Sequence, residues 1–126
     1  MDDLLIISCA VYIISPNSDL QLYLNHLSVL ESIDFTFSNC KFIICGDYNI
    51  PSLSWECDKF GLKCVNFLSS QVGSALIESC SLLNLHQFNS FTNPYGHILD
   101  LVFSNLTETN IDLLDDPLIP IDLYHP

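Results

Sequence analysis

The sequence predicts a single α+β domain in which helices pack against a sheet. Three observations carry this expectation. Residues 4–14 and 42–45 are apolar runs rich in Ile, Val, Cys and Phe, the composition of buried strands. Between them, and again over residues 70–83, apolar residues recur every three or four positions, the period of a helix with one apolar face. Strand, helix and strand within about 45 residues form a crossover unit, which lays a helix on a sheet. The chain of 126 residues suffices for one domain with a core, and its 49 % hydrophobic content excludes disorder.

Taken in order, residues 4–14 carry no charge and read as a central buried strand ending near Ser15-Pro16-Asn17. Leu20, Leu24, Leu27, Leu30 and Ile33, with Tyr23, mark one side of a helix over about 18–35. Asn17 or Ser18 is its expected cap. Residues 42–45 read as a strand buried on both faces, stopped by Gly46, where the backbone can turn sharply. Residues 50–55 read as an ordered loop pinned by Trp55, and residues 56–69 mostly as loop. Ser69-Ser70 caps a second helix carrying Val72, Leu76, Cys80 and Leu83 on one face. A short strand is expected within 85–91, a turn at Asn93-Pro94-Tyr95-Gly96, and a strand over 98–103 with Asp100 embedded in it. The tail from Thr107 is acidic and proline-bearing.

Fifteen acids stand against three lysines and no arginine, a formal net charge of -12. Such a surface repels nucleic acid, whose affinity for proteins comes largely from Lys and Arg meeting phosphates. Any nucleic-acid function therefore needs a metal or further sequence. The six cysteines include no CxxC pair, and several lie in apolar runs, which suits reduced core thiols in an intracellular compartment. The apolar run at 4–14 is too short to cross a bilayer, and Met1-Asp2-Asp3 lacks the basic start of a secretory signal. Neither a membrane partner nor a signal peptide is expected. The sequon Asn105-Leu106-Thr107 reads as fortuitous in a non-secreted protein.

Two acids stand out. Asp47 and Asn49 lie two residues apart after a strand, a spacing that puts both on one side of an extended backbone. An acid and an amide there suit a phosphate or a metal; Gly, Asp, Asn and Pro equally make a turn. Asp100, between Leu99 and Leu101, is either a solvent-facing acid on an alternating strand or an acid that orients a histidine or helps hold a metal. His125 is available to it. Thr92 and Asn93 read as phosphate contacts or as turn caps, and Tyr12 as a hydroxyl at the same edge or as a core residue. His86 and His97 have no partner at ligand spacing.

Val11-Tyr12-Ile13, then Gly46-Asp47-Tyr48-Asn49-Ile50-Pro51 with Trp55, then Leu99-Asp100-Leu101-Val102-Phe103-Ser104-Asn105, then Tyr124-His125-Pro126 occur in that order. The series resembles the endonuclease/exonuclease/phosphatase superfamily, in particular the apurinic-type endonuclease domain of non-LTR retrotransposons. The likeness spans about residues 5–126 and corresponds to the later half of a full domain. It implies a partial α/β-sandwich, with mixed sheets flanked by helices, and a Mg2+-dependent phosphodiester hydrolase that nicks DNA. In that reading Asp47 orients or deprotonates the attacking water, and Asn49 holds the phosphate and supports the metal site. Asp100 pairs with His125, which contacts the scissile phosphate. Tyr12 and Thr92 touch the phosphate. The ensemble suits in-line displacement, which needs a nucleophile, a Lewis acid and a group facing the developing charge. A reverse transcriptase domain in the full reading frame and a nuclear location are further implications.

The sequence also departs from the resembled pattern. The asparagine and the main metal-binding glutamate lie on strands that precede anything matched here. Tyr124 stands where an Asp commonly precedes the histidine, leaving Asp122 as the nearest acid and a doubtful metal ligand. The expectation is a truncated domain over residues 1–126, with an uncovered sheet face or edge and with activity impaired or absent in this chain alone. Two alternatives remain open: a non-catalytic remnant or interaction module, and a phosphatase-type member acting on a phosphorylated lipid or small molecule.

Overall fold

The computed structural model describes residues 5–13, 20–37, 39–59 and 61–106. Strand β1 (Leu5–Tyr12) leads through helix α1 (Leu20–Thr36) to β2 (Cys40–Asp47), which pairs with it in parallel. Next come β3 (Trp55–Asp58), β4 (Gly61–Cys64), a 3-10 turn (Phe67–Ser69), helix α2 (Gln71–Leu82), β5 (His86–Gln87) and β6 (Asp100–Ser104). These six strands form one mixed sheet in the order β1-β2-β6-β5-β4-β3, antiparallel everywhere except β1/β2. The α+β class and both expected helices are present. Among the described residues there is one sheet rather than the two sheets of a sandwich, and no helix is long and apolar enough to cross a membrane.

Both helices lie on the same face of this sheet. Tyr23, Leu27 and Leu30 of α1 and Leu76 and Cys80 of α2 join Phe42, Ile44, Leu101 and Phe103 in one core. Burying these side chains contributes roughly 1.5–3 kcal/mol each. The opposite face is open at β1, where burial alternates: Ile6, Ser8, Ala10 and Tyr12 are exposed, while Ile7, Cys9 and Val11 pack inward. Within the run at 4–14, β1 is therefore an edge strand among the described residues, with one wet face, not a central buried one. Its unbroken hydrophobicity concealed a period of two. Strand β2 likewise exceeds residues 42–45, and it is not buried on both faces, since Cys45 is exposed between buried Ile44 and half-buried Gly46.

Gly46 does not turn the chain. It stays in β2, at φ 157°, opposite Val11, and a Cβ there would lie 1.9 Å from the Val11 carbonyl oxygen. Glycine is required by that close approach. The stretch 56–69 is not a loop either. Trp55–Asp58 and Gly61–Cys64 form a hairpin, with Glu56 opposite Lys63. Its strands of four residues are too short to display a period. The strand expected within 85–91 contracts to His86–Gln87, because the Gln87 and Asn89 side chains take over the backbone groups beyond it.

Local chemistry explains the ends of α2. The Ser70 hydroxyl accepts from the Gly73 amide as N-cap. At the far end Asn84 sits at φ 56°, with Leu85 N–H donating to the Cys80 carbonyl (2.8 Å) and Asn84 N–H to Ser81 (3.3 Å). That is a Schellman motif with asparagine in the left-handed position. The Asn17 or Ser18 cap expected for α1 lies outside the described residues. All six cysteines are free thiols: Cys40, Cys64 and Cys80 buried, Cys9 half-buried, and Cys45 and Cys57 exposed.

Candidate functional site

Sheet register sets Tyr12, Asp47 and Asp100 abreast. Tyr12 on β1 is the Cα partner of Asp47 on β2, and Asp47 is the partner of Asp100 on β6. The three differ in exposure: Asp47 is buried, Asp100 half-buried and Tyr12 72 % exposed. Two carboxylates on directly opposed positions concentrate negative charge at one end of the sheet.

The chain beyond Asp47 is held from three sides. The Ile13 amide donates to the Asp47 carbonyl (2.9 Å), and the Tyr48 amide donates to Leu99 (3.0 Å). From α1, the Tyr23 hydroxyl donates to the Tyr48 carbonyl (2.8 Å), and His26 Nε2 lies 2.7 Å from the Tyr48 hydroxyl. Tyr48 is 1 % exposed and rests edge-on against Phe103. Burial, then the nearby Cys80, Cys9 and Cys45, push its phenol far above the ordinary tyrosine range. Burial pushes His26 below the ordinary histidine value. Burial and then the Asp47 carboxylate push Tyr23 up.

Asn49 does not share a side with Asp47 by extended-strand parity, because its backbone is left-handed at φ 51°. Its side chain folds back, with Nδ2 donating to the Ile13 carbonyl (3.1 Å). The residue thus closes the turn and ties β1 to the end of β2, with Oδ1 remaining as an acceptor. Asp100 is fixed through its backbone: Asn89 Nδ2 donates to its carbonyl (2.6 Å), and Asn89 is itself held by Gln87. Thr92 is exposed on the loop before Asn93 and is not part of the register row. Asn93 is buried, and its Oδ1 accepts from the Tyr95 and His97 amides, the turn-capping role. His125 and Asp122 lie outside the described residues.

Part of the LDLVFSN motif is architectural. Ser104 Oγ donates to the Phe42 carbonyl (2.6 Å), and Asn105 Oδ1 accepts from the Phe42 amide (2.8 Å), locking β6 to β2. This lock holds the register that sets Asp100 opposite Asp47. Trp55 meets Phe103 edge-on at the far half of the sheet, and its indole N–H is buried with no acceptor among the described residues.

Reading the sequence did not find His26, Asn89 or Gln87. A signal for His26 existed: it lies three residues after Tyr23 and one before Leu27, on the side that faces the sheet. Gln87 and Asn89 lie among other polar residues, His86 and Ser90, so nothing in the sequence sets them apart from an exposed segment.

A cavity of about 410 Å³ opens elsewhere, between α2 and the β3–β5 strands, lined by Trp55, Phe67, Ile77, Leu85 and Phe103 among others. None of Tyr12, Asp47, Asn49 and Asp100 lines it. The phosphoryl chemistry expected from the sequence would call on the acids, since it needs oxygen ligands and charge rather than an apolar hollow. Among the described residues no three His, Cys, Asp or Glu side chains converge as a metal cluster. Mg2+ commonly takes one or two carboxylates and retains several waters. Asp47 and Asp100 therefore fit as a partial ligand set, which Asn49 Oδ1 would extend by one neutral oxygen. No family model, curated protein or solved structure matches the chain.

Proposed function

We propose that this chain carries part of a metal-dependent phosphodiesterase site of the endonuclease/exonuclease/phosphatase type, acting on DNA. One observation supports the reading above others: Tyr12, Asp47 and Asp100, from three separate motifs, stand abreast across β1, β2 and β6. Buried Asp47 is the residue for orienting or deprotonating the attacking water. Asp100, half-buried, is placed to hold a partner that meets the phosphate, the part assigned to His125 by the resemblance. The Tyr12 hydroxyl is accessible to a phosphate oxygen. Bound Mg2+ would polarise the phosphoryl oxygen, held by Asp47 and Asp100.

The test is nicking of supercoiled plasmid in Mg2+ at low salt, comparing the chain with Asp47→Asn and Asp100→Asn. Slow nicking is expected, reduced at least about tenfold in Asp47→Asn. Equal nicking by chain and variant would mean contamination and would sink the reading.

A second reading, a non-catalytic interaction module, is favoured by the open face at β1. No nicking by any of the proteins would favour it.

A further inference from the structure

We propose that the His26–Tyr48 hydrogen bond is a proton-sensitive latch by which helix α1 sets the position of the Asp47–Asn49 end of β2. The geometry carries it. Tyr48 follows Asp47 directly, its ring is enclosed, and its hydroxyl meets His26 Nε2 at 2.7 Å. The neighbouring Tyr23 hydroxyl, one turn earlier on the same helix, holds the Tyr48 carbonyl. Helix α1 thus grips both ends of one residue whose backbone is continuous with the candidate water-activating acid.

The direction of the bond follows from its surroundings. Burial disfavours both the phenolate and the imidazolium, so at neutral pH both partners are uncharged. Tyr48 O–H then donates and His26 Nε2 accepts, which places the imidazole proton on Nδ1. Protonating His26 turns Nε2 into a donor to the same hydroxyl, so the bond reverses and the enclosed O–H proton loses its acceptor. A histidine held below its ordinary pKa favours the closed latch above the ordinary histidine range. That contribution is lost as pH falls through the lowered value.

Cys80 from α2, Cys9 from β1 and Cys45 from β2 face Tyr48, Asp47 lies near Tyr23, and β6 contributes the uncharged Phe103 ring. Burial pushes the Cys80 thiol up to about 12 and raises Cys45, so neither changes charge in acid. His26 and the Asp47 carboxylate are the two groups to be separated by experiment. The bearing of the latch on catalysis rests on the phosphodiesterase reading; the latch itself does not.

The experiment is an NMR pH titration of the folded chain from about pH 7.5 to 4.5, following the His26 ring and the amides of Asp47, Tyr48 and Asn49. These amides are expected to move with the His26 midpoint, which lies below about 6.5. In Tyr48→Phe the burial of His26 persists, so its midpoint should stay below about 6.5 while the amides stop following it. His26→Gln retains a carbonyl acceptor for Tyr48 without a titrating ring, so it should hold the amides flat across the His26 window and serves even if Tyr48→Phe fails to fold. Amides that keep the same midpoint in His26→Gln, or that still follow the His26 midpoint in Tyr48→Phe, would overturn the proposal. Loss of nicking would not, since no readout here depends on activity.

Discussion

The two halves of the sheet are built on different principles. In β1-β2-β6, long backbone ladders do the work: eight consecutive residue pairs join β1 to β2, and five join β2 to β6. In β5-β4-β3, four pairs join β3 to β4 but only one joins β4 to β5, and side-chain amides supplement the ladder. Asn66 Oδ1 accepts from the Ser54 amide (2.7 Å), and its Nδ2 donates to Ser52 (2.7 Å). Gln87 Oε1 accepts from the amides of Asn89 (2.5 Å) and Val102 (3.3 Å). The first half holds the acids in register mainly through backbone ladders, with Gly46 and the Ser104–Asn105 lock as its sequence-specific points. The second half depends on individual polar side chains that few substitutions can replace.

Substitutions can break this contrast in order of size. Gly46→Ala should have the largest effect, because its methyl group would collide with Val11 backbone rather than with a movable side chain. A loss of about 3 kcal/mol or more is expected by urea unfolding, with the β1/β2 ladder losing amide protection first. Gln87→Ala removes three hydrogen bonds at the seam between the halves and leaves buried backbone groups unsatisfied. It should cost about 2–3 kcal/mol, with the Asn89–Asp100 contact loosening while β1/β2 protection persists. Equal loss of protection in both halves would mean that they unfold as one unit. Ser70→Ala removes only the α2 cap and should cost about 1 kcal/mol in thermal or chemical unfolding. Asn84→Gly, at a left-handed position, should change stability by no more than about 0.5 kcal/mol, upward if backbone strain outweighs the entropy of the unfolded chain.

The same contrast explains what the sequence disclosed. Helix α1 was legible because 17 residues allow a period to repeat, and Ser70 announced α2 by its chemistry. Strand β6 was legible as an apolar run with one acid, Asp100, embedded in it. The hairpin β3/β4 was not, since four-residue strands carry no period and Glu56 and Lys63 resemble any solvated loop. At the candidate site, Asp47 and Asp100 stood out in the sequence, but their opposition did not, because register alone determines it. Asn49 misled because parity presumes extended backbone, and its φ of 51° breaks that premise. His26 was hidden by distance: its partner Tyr48 is 22 residues away.

The open side of β1 has a consequence for handling the protein. A strand without charge, presenting Ile6 and Tyr12 to water at the rim of the sheet, offers a template for like copies to align upon. What opposes this is the surplus of carboxylates, a net charge of -12, and repulsion of that kind acts only over a Debye length, about 8 Å in physiological salt. Ionic strength and acidity, more than heat, should thus govern its colloidal behaviour. Light scattering should rise with added salt, or as pH falls toward 4, while helix content measured by circular dichroism is still unchanged.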